Sequence, residues 1–232
     1  MRNQLRAFWA AALIALPFSA SADLSAVPSG KYTLDRSHGY ITFTYSHLGF
    51  SNPRVGFNSF DTVLVLDSDN PENSTIEVTI DAASIDSRVA EFNEHLNSSD
   101  FFNTAEYPTI TFKSTKVEDT GENTFDVTGD LTILGTTKPV TLTTTINRAA
   151  NHPMLNVPTI GVSASTTLIR SEWGLGAYVP ALGPPVPRDE AGAAVGYQWM
   201  LRKTRRQIAA QVLPEDAMTD AEYEQFARVL DK

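Results

Sequence analysis

The chain has 232 residues, contains no cysteine and carries a formal net charge of −9. The absence of cysteine excludes disulfides, thiolate metal ligands, thiol nucleophiles and a lipid-modified cysteine. The acidic balance disfavours nucleic acid and anionic bilayers as partners, because both carry negative charge. Hydrophobic residues make up 42% and charged residues 19%, which is the composition of a globular protein.

The N-terminal segment has the pattern of a signal peptide. Arg2 and Arg6 form a short basic region, residues 7–18 form an apolar run, and residues 20–22 (Ala-Ser-Ala) provide the small residues of a cleavage site. The apolar run is too short to span a bilayer. We therefore expect cleavage before Asp23 and export to a bacterial periplasm, with no stable membrane insertion of the mature protein. Secretion and an uncleaved N-terminal anchor are the alternatives.

From Lys31 onward, hydrophobic residues recur with a period of two, which is typical of half-buried strands. Turn sequences rich in Asn, Asp, Gly and Pro separate these runs and leave no room for crossover helices. The pattern predicts an all-β fold, either an antiparallel up-and-down barrel or a sandwich. Residues 125–133 hold the alternation for nine residues, so we expect the odd-numbered ones to face inward.

One segment breaks the period of two. Val89, Phe92 and Leu96 have the spacing of one face of an amphipathic helix, and Asp86 or Ser87 is the predicted N-cap. We expect this helix to cover one end of a barrel, with its apolar stripe over the interior.

The composition changes at a proline-rich stretch that follows residue 183. We therefore divide the chain into a signal peptide (1–22), a barrel domain (23–183) and a partly helical C-terminal extension (184–232). Residues 194–202 are the part of the extension with a period of two. We expect them to pair with the open barrel edge, because an unpaired edge promotes aggregation. A helix that begins in the same residues is the alternative.

No sequence pattern indicates a catalytic site. The G-x-S-x-G, P-loop and G-x-G-x-x-G motifs are absent, and the four histidines are scattered without metal-ligand spacing. We therefore expect a binding protein with no enzymatic activity, no metal and no cofactor.

The inward-facing side chains of the predicted barrel are mainly apolar and aromatic. Periodicity alone does not separate a filled core from an elongated cavity that holds a ligand. His47 has the parity of Tyr45, so we expect it inward or at a rim, either bonded to a ligand head group or satisfied by backbone. The predicted ligand-binding residues are Phe43, Tyr45, His47, Phe57, Phe60, Ile76, Val78, Ile80, Phe92, Leu96, Ile110, Phe112, Leu131, Ile133, Val140 and Leu142.

Four segments resemble the signature of one family and occur in the family's order. They are residues 34–51, with Leu-Asp-Arg-Ser-His and Ser-His-Leu-Gly-Phe-Ser; residues 95–112, with His-Leu-Asn-Ser-Ser-Asp-Phe-Phe and Tyr-Pro-Thr-Ile-Thr-Phe; residues 129–140, Gly-Asp-Leu-Thr-Ile-Leu-Gly-Thr-Thr-Lys-Pro-Val; and residues 169–176, Ile-Arg-Ser-Glu-Trp-Gly-Leu-Gly. The chain resembles the YceI-like family, lipocalin-like polyisoprenoid-binding proteins of bacterial periplasms.

This resemblance implies an eight-stranded antiparallel lipocalin-like barrel with one capping α-helix. It also implies a long apolar ligand in the lumen, either a polyisoprenoid or a quinone with an isoprenoid tail, held without covalent attachment. The sequence departs from the family pattern at Gly39, where the family has Ser, and in the tail after residues 178–182, where the family has its closing strand.

Two functions remain open. In the first, the protein is an exported carrier of an isoprenoid lipid or quinone. In the second, it is a stress-related structural or interaction protein with a filled barrel and a partner-binding tail. An enzyme that acts on a small lipid is a third and weaker hypothesis. A homodimer and a membrane redox partner are the protein partners to test, and nucleic acid is not expected.

Overall fold

The computed structural model describes residues 23–47, 50–177 and 193–202. The predicted signal peptide and the predicted helical part of the C-terminal extension lie outside these residues. Within them, one α-helix, Ala90–Asn97 (α1), accompanies eleven strands. The strands are Gly30–Leu34 (β1), Tyr40–Thr44 (β2), Arg54–Phe57 (β3), Phe60–Leu66 (β4), Thr75–Asp81 (β5), Ile85–Asp86 (β6), Thr109–Gly121 (β7), Thr124–Ile133 (β8), Thr136–Asn151 (β9), Pro158–Leu168 (β10) and Ala193–Arg202 (β11).

All eleven strands belong to one antiparallel sheet, in the order β1-β4-β5-β7-β8-β9-β10-β11-β2-β3-β6, with a further pairing of β1 with β11. Three positions in the sheet are each shared by two strands that lie end to end: β1 with β2, β3 with β4, and β5 with β6. The two strands of each pair have their hydrogen-bonded partners at the same neighbouring position. The predicted all-β lipocalin-like class is confirmed. Eleven strand segments occupy eight positions around the sheet.

Strand β11 closes the sheet. It pairs with β10 along its whole length, from Thr159↔Arg202 to Leu168↔Ala193, and on its other side with β2 and β1. The alternation at residues 194–202 therefore marks a strand, and the alternative of a helix beginning there is wrong. Both edges that flank this position find backbone partners, which removes the exposed edge of an incomplete barrel.

The register of β8 follows the predicted alternation. The odd-numbered residues from Phe125 to Ile133 are buried, whereas the side chains between them face outward. On the outer face, Thr128 Oγ1 lies 2.9 Å from Thr141 Oγ1 across β8 and β9, and such cross-strand pairs stabilise a sheet modestly. Hydrophobic burial on the inner face therefore fixes which face is inside.

Helix α1 has a different N-terminus from the one predicted. Its N-cap is Val89, whose side chain makes no capping hydrogen bond. Asp86 and Ser87 instead bind Asn93: the Ser87 N–H and hydroxyl donate to Asn93 Oδ1 at 2.7 and 2.6 Å, and Asn93 Nδ2 donates to Asp86 Oδ1 at 3.2 Å. Hydrogen bonds from Arg88 N–H, Asn93 and Asn58 lower the pKa of Asp86.

The two ends of the barrel are closed differently. The helix end carries α1, the β8–β9 hairpin and the 3-10 turn Arg170–Trp173. The Leu24 end carries the β4–β5 and β7–β8 connections and the 3-10 turn Leu24–Ala26. Leu24 and Leu96, one from each end, are both buried in the same hydrophobic core, so the interior is covered at both ends.

Candidate functional site

An apolar cavity of about 70 Å³ lies inside the Leu24 end of the barrel. None of the described residues that line it is charged. The lining residues are Leu24, Leu64, Leu66, Pro71, Ser74, Thr75, Ile76, Val117, Phe125, Val127, Leu142, Thr144, Ile146, Ile160 and Val162.

Two of the hydroxyl groups around the cavity already have hydrogen-bond partners. Ser74 Oγ accepts a hydrogen bond from the Asp67 N–H at 3.0 Å, and Thr144 Oγ1 donates to the Leu142 carbonyl at 3.2 Å. The cavity wall therefore offers mainly hydrocarbon surface, which suits an apolar chain.

The cavity is small for a lipid. A water molecule takes up about 30 Å³ in the liquid, and small-molecule sites usually measure about 300–1,000 Å³. A space of about 70 Å³ therefore accommodates a short piece of a chain unless neighbouring side chains move.

Leu24 closes the cavity from outside the sheet. It lies in the short turn Leu24–Ala26, which precedes β1, and only 8% of it is exposed. The Asp23 carboxylate accepts a hydrogen bond from the Ser25 N–H at 2.9 Å, and hydrogen bonding to Ser25 lowers the pKa of Asp23. Leu24 therefore lines the cavity from a short segment outside the sheet, as Pro71 and Ser74 do from the β4–β5 connection.

Three neighbouring strands pack closely on the inner face of the barrel. The ring of Phe112, on β7, lies against Gly129 on β8, where a Cβ atom would come within 2.5 Å of Phe112 Cζ. Val78 on β5 pairs with Phe112 and also lies in the buried core. These contacts pack β5, β7 and β8 together along one wall of the lumen.

An aromatic cluster occupies the helix end. The ring centroids of Phe43, Phe57 and Phe102 lie 5.8–6.2 Å apart, and the ring of Tyr45 lies 6.4 Å from that of Phe43. Burial raises the pKa of the Tyr45 phenol. His47 is exposed, with its ring edge-on to Tyr45 at 6.5 Å.

The ligand-binding role of the residues predicted to line an elongated lumen stays a prediction. The cavity lies at the opposite end, and only Ile76 and Leu142 of the predicted ligand-binding residues line it. His47 lies beyond the end of β2 at Thr44 and is exposed, which agrees with the expected rim position and not with an inward one. Among the other predicted ligand-binding residues, three are half-buried: Phe43, Tyr45 and Phe92. The rest are buried in the hydrophobic core: Phe57, Phe60, Val78, Ile80, Leu96, Ile110, Phe112, Leu131, Ile133 and Val140.

Most of the lining residues that were not predicted as ligand-binding have the inward parity of their strands. Leu64 and Leu66 continue the even-numbered face that begins at Phe60, and Phe125 and Val127 belong to the odd-numbered face of β8. The alternation of inward and outward residues along each strand could therefore have identified them. Leu24 lies outside every periodic run, and no sequence signal marks it.

The first signature segment folds into a hydrogen-bonded turn between β1 and β2. The Asp35 carboxylate is buried; its Oδ2 lies 2.6 Å from His38 Nδ1, and its Oδ1 accepts a hydrogen bond from Ser37 Oγ at 2.7 Å. A Cβ on Gly39 would lie 2.7 Å from Leu34 Cδ1, so the backbone passes close to the core here. These contacts give the motif a structural role in joining the two strands.

Among the described residues, no group of three or more His, Asp or Glu side chains could hold a metal ion. No helix in the same part of the chain is long and apolar enough to cross a membrane.

The fold and its interior define a small antiparallel barrel with an uncharged internal cavity. A family model described as the YceI-like domain matches residues 32–195, well over half of the sequence. The chain belongs to the YceI-like family.

Curated relatives agree with this assignment. A UPF0312 protein of Ectopseudomonas mendocina (strain ymp) is 44% identical over 113 residues, which cover 48% of this chain and 59% of that protein. A UPF0312 protein of Vibrio cholerae serotype O1 is 35% identical over 177 residues, 75% of this chain and 89% of that protein. The chain thus matches about three fifths of the first relative and most of the second.

Solved structures share the fold. Campylobacter jejuni YCEI protein superposes with a TM-score of 0.59 at 24% identity, covering 67% of this chain and 88% of that one. Burkholderia cenocepacia BcnA gives 0.57 at 22% identity, covering 74% and 99%. A polyisoprenoid binding domain from Saccharophagus degradans gives 0.56 at 15% identity, covering 75% and 98%.

Proposed function

We propose that this protein is an exported, non-enzymatic carrier that holds one isoprenoid chain, free or attached to a quinone, in the lumen of its barrel. The observation that carries the proposal is the uncharged internal cavity at the Leu24 end. The Saccharophagus domain with the same fold, described as polyisoprenoid-binding, supports the same ligand class.

The energetics favour such a ligand. Each methylene group moved from water to an apolar site contributes about 0.8 kcal/mol, so a few prenyl units provide substantial affinity without a polar contact. Against this stands the cost of rearranging a lumen that is closed at about 70 Å³. A ligand must therefore move side chains as it enters.

In this proposal Leu24 moves aside when the ligand enters. The turn that carries it contains three residues and precedes the first strand, so its displacement leaves the sheet pairing intact. Cleavage before Asp23, as the signal pattern predicts, would make Leu24 the second residue of the mature chain. The ligand then enters and leaves at the Leu24 end.

Export gives such a carrier a purpose. An isoprenoid chain cannot cross an aqueous compartment unshielded, because its hydrocarbon surface is poorly solvated. A protein that encloses the chain would move it between membranes or keep it in reserve in the periplasm.

Native mass spectrometry of the protein purified from its own host tests the proposal. We expect a population heavier than the mature polypeptide by the mass of one lipid, and extraction should yield a molecule with an isoprenoid chain. Delipidated protein incubated with the C20 alcohol geranylgeraniol should regain a one-to-one adduct. The absence of an adduct in both experiments would contradict the proposal.

The close packing inside the barrel favours one second candidate. Phe112 packs on Gly129, and the aromatic residues at the helix end contact one another, as they would in a barrel that needs no ligand. In that case the protein is a structural or interaction protein whose partner binds outside the barrel. It would carry no lipid from its host, and pull-down with the full chain would recover a protein partner.

A further inference from the structure

The connection between β9 and β10 presents an apolar side chain to solvent at the Leu24 end of the barrel. Met154 is 85% exposed, and Leu155 beside it is 39% exposed. Hydrogen bonds hold this turn in place: the backbone N–H groups of both residues donate to His152 Nδ1 at 3.3 and 3.2 Å, and the His152 N–H donates to the Val157 carbonyl at 2.8 Å. A large apolar side chain held outward in this way is a contact point for a partner.

The surface around the exposed turn is acidic. Six carboxylate side chains and no lysine or arginine occur in the four segments that form this end, which are residues 23–29, 67–74, 119–123 and 152–157. Three of these carboxylates, Asp67, Asp69 and Glu72, lie on the β4–β5 connection. Hydrogen bonds from Asn70 and Asn73 lower the pKa of Asp67, which therefore stays ionised at neutral pH. A partner for this surface needs both positive charge and an apolar face.

Strand β11 ends beside this surface. Its last residue, Arg202, pairs with Thr159 near the start of β10, just after the exposed turn. On its other side Arg202 pairs with Thr33 of β1, and β1 pairs in turn with β4 as far as Gly30↔Leu66, where the β4–β5 connection begins. The described part of β11 therefore ends between the exposed turn and the acidic connection, and it points toward the Leu24 end.

The sequence after β11 has the pattern of a short amphipathic helix. Thr204 and Gln207 have the spacing of a capping box. Ile208 and Val212 follow one helical turn apart, on one face. The pattern predicts a helix over residues 205–213, because a proline follows directly and disfavours its continuation. Such a helix is about 14 Å long, and neighbouring strands lie about 4.8 Å apart, so it reaches from the end of β11 across the β9–β10 connection.

The charges of the same segment complement the barrel end. Lys203, Arg205 and Arg206 lie at the start of the predicted helix, where the positive pole of the helix dipole makes cations unfavourable. Carboxylates beside these cations remove that penalty, and Asp69 and Glu72 lie on the connection next to the end of β11. Contact with the acidic end of the barrel therefore stabilises the helix and attaches it at the same time.

We infer that residues 203–213 fold back as an amphipathic helix on the Leu24 end of their own barrel, with their cations beside the β4–β5 connection and with Ile208 and Val212 against Met154. The covalent link to β11 gives this segment a high effective concentration at the surface, which favours it over a second copy of the chain. The inference does not depend on a bound lipid, because the barrel itself forms the docking surface.

The reactivity of a thiol placed at the exposed turn tests the contact, since the native chain has no cysteine. Full-chain Met154→Cys protein is compared with the same protein carrying Lys203→Glu, Arg205→Glu and Arg206→Glu. The rate at which the introduced thiol reacts with a maleimide is measured at low ionic strength. The native segment should slow the reaction by about 3- to 10-fold relative to the charge-reversed one, the range for a few exposed ion pairs. The difference should disappear in about 1 M salt, where the Debye length is about 3 Å.

Slower labelling with the native segment reports coverage and not a change in thiol chemistry. Nearby cations lower the pKa of a thiol and raise its thiolate fraction, which by itself would make the native segment speed the reaction. Coverage by the helix is therefore the effect that gives the opposite sign.

Matched variants separate docking from a general effect of charge. Phe50→Cys places the thiol at an 88% exposed residue beyond the end of β2, at the helix end, and its labelling should not depend on the charges of the segment. Asp69→Lys in the charge-reversed Met154→Cys protein should restore part of the protection, because it again places opposite charges in contact. Glu94→Lys, at an exposed residue of α1, should restore none. Far-UV circular dichroism shows that the barrel is intact in every variant.

The outcomes are distinct. Slower labelling that is independent of protein concentration and relieved by charge reversal supports docking within one chain. Equal labelling rates with the native and the charge-reversed segment would overturn the inference. Protection that grows with protein concentration would also overturn it, because the occupant would then be a second copy. Binding of the full chain to phosphatidylglycerol vesicles, together with equal labelling rates, would mean that the basic segment recognises an anionic membrane instead.

Discussion

The ring of Phe112 lies directly over the backbone of Gly129, so that a Cβ atom at residue 129 would approach Phe112 Cζ to 2.5 Å and the Lys113 carbonyl oxygen to 2.5 Å. Contacts this short do not occur in folded proteins, and the missing side chain of Gly129 is therefore what allows the ring to lie over the neighbouring strand β8. The packing of β7 against β8 on the inner face depends on this pair.

We expect Gly129→Ala to destabilise the protein by about 1–3 kcal/mol, the usual cost of an overpacked core. Urea unfolding measures the effect. Gly56→Ala is the control, because a Cβ atom there would be 3.7 Å from its nearest neighbour, the Ile41 carbonyl oxygen. It should be neutral or slightly stabilising, since alanine loses less backbone freedom than glycine on folding. Equal effects of the two substitutions would contradict this account of the packing.

Removal of the Leu24 side chain should both weaken the fold and speed lipid exchange. Leu24→Ala deletes a buried side chain at the edge of the cavity, and we expect a loss of about 2–3 kcal/mol in unfolding free energy. The rate of geranylgeraniol uptake should rise, because the cavity is then open. Leu155→Ala, on the exposed β9–β10 connection at the same end, should change stability by less than about 0.5 kcal/mol and leave the rate unchanged. If both variants exchange lipid at the wild-type rate, ligands do not enter past Leu24.

Tyr32 should make the fold sensitive to alkaline pH. Burial raises the pKa of its phenol to about 12, whereas the pKa of a tyrosine in an unfolded chain is about 10. Between these values the unfolded chain has lost the proton that the folded protein still holds, so stability falls as pH rises. The contribution is fully present below about pH 10.

Tyr32→Phe should be less stable than wild type by about 0.5–1.5 kcal/mol at pH 8, because it loses the hydrogen bond to the Pro28 carbonyl. The difference should shrink when urea unfolding is repeated at pH 11. Tyr40→Phe, at a largely exposed ring, is the control. A difference between wild type and Tyr32→Phe that stays constant with pH would be incompatible with the raised pKa.

The closing strand can be tested by a disulfide, since the native chain has no cysteine. Thr44 on β2 pairs directly with Ala194 on β11. We expect Thr44→Cys with Ala194→Cys to form an intramolecular disulfide on mild oxidation, seen as a mass loss of two hydrogens. Thr44→Cys with Val195→Cys should cross-link poorly, because adjacent residues of a strand project to opposite faces. The reverse pattern would mean a different register for β11.

The strands were predictable because burial imposes a period of two on the sequence. Phe125 to Ile133 on β8 and the closing strand follow it. Three positions in the sheet are each divided into two strand segments, and these breaks have no such signal in the sequence. They depend on local close approaches, such as that of the Gly39 backbone to Leu34 Cδ1, which only the folded chain brings about.

The cavity was not predictable for a different reason. Periodicity indicates which face of a strand is inside, but not whether the side chains on that face meet. The cavity at Ile76 and Leu142 and the close contact of Phe112 with Gly129 both depend on how residues of different strands meet, which the alternation along one strand does not indicate. Leu24 covers the cavity from a segment with no periodicity at all.

The account as a whole rests on a lipid lying in the cavity at the Leu24 end, and one pair of variants tests this most directly. Val162→Phe adds a ring to the cavity wall, whereas Val65→Phe adds the same ring to the outer surface of β4, where Val65 is 49% exposed. Thermal unfolding confirms that both are folded, and native mass spectrometry then measures the bound fraction of geranylgeraniol. We predict that Val162→Phe binds at least about tenfold less lipid than wild type, the factor that corresponds to 1.4 kcal/mol, and that Val65→Phe binds as wild type does. Wild-type binding by a folded Val162→Phe protein would contradict the central claim.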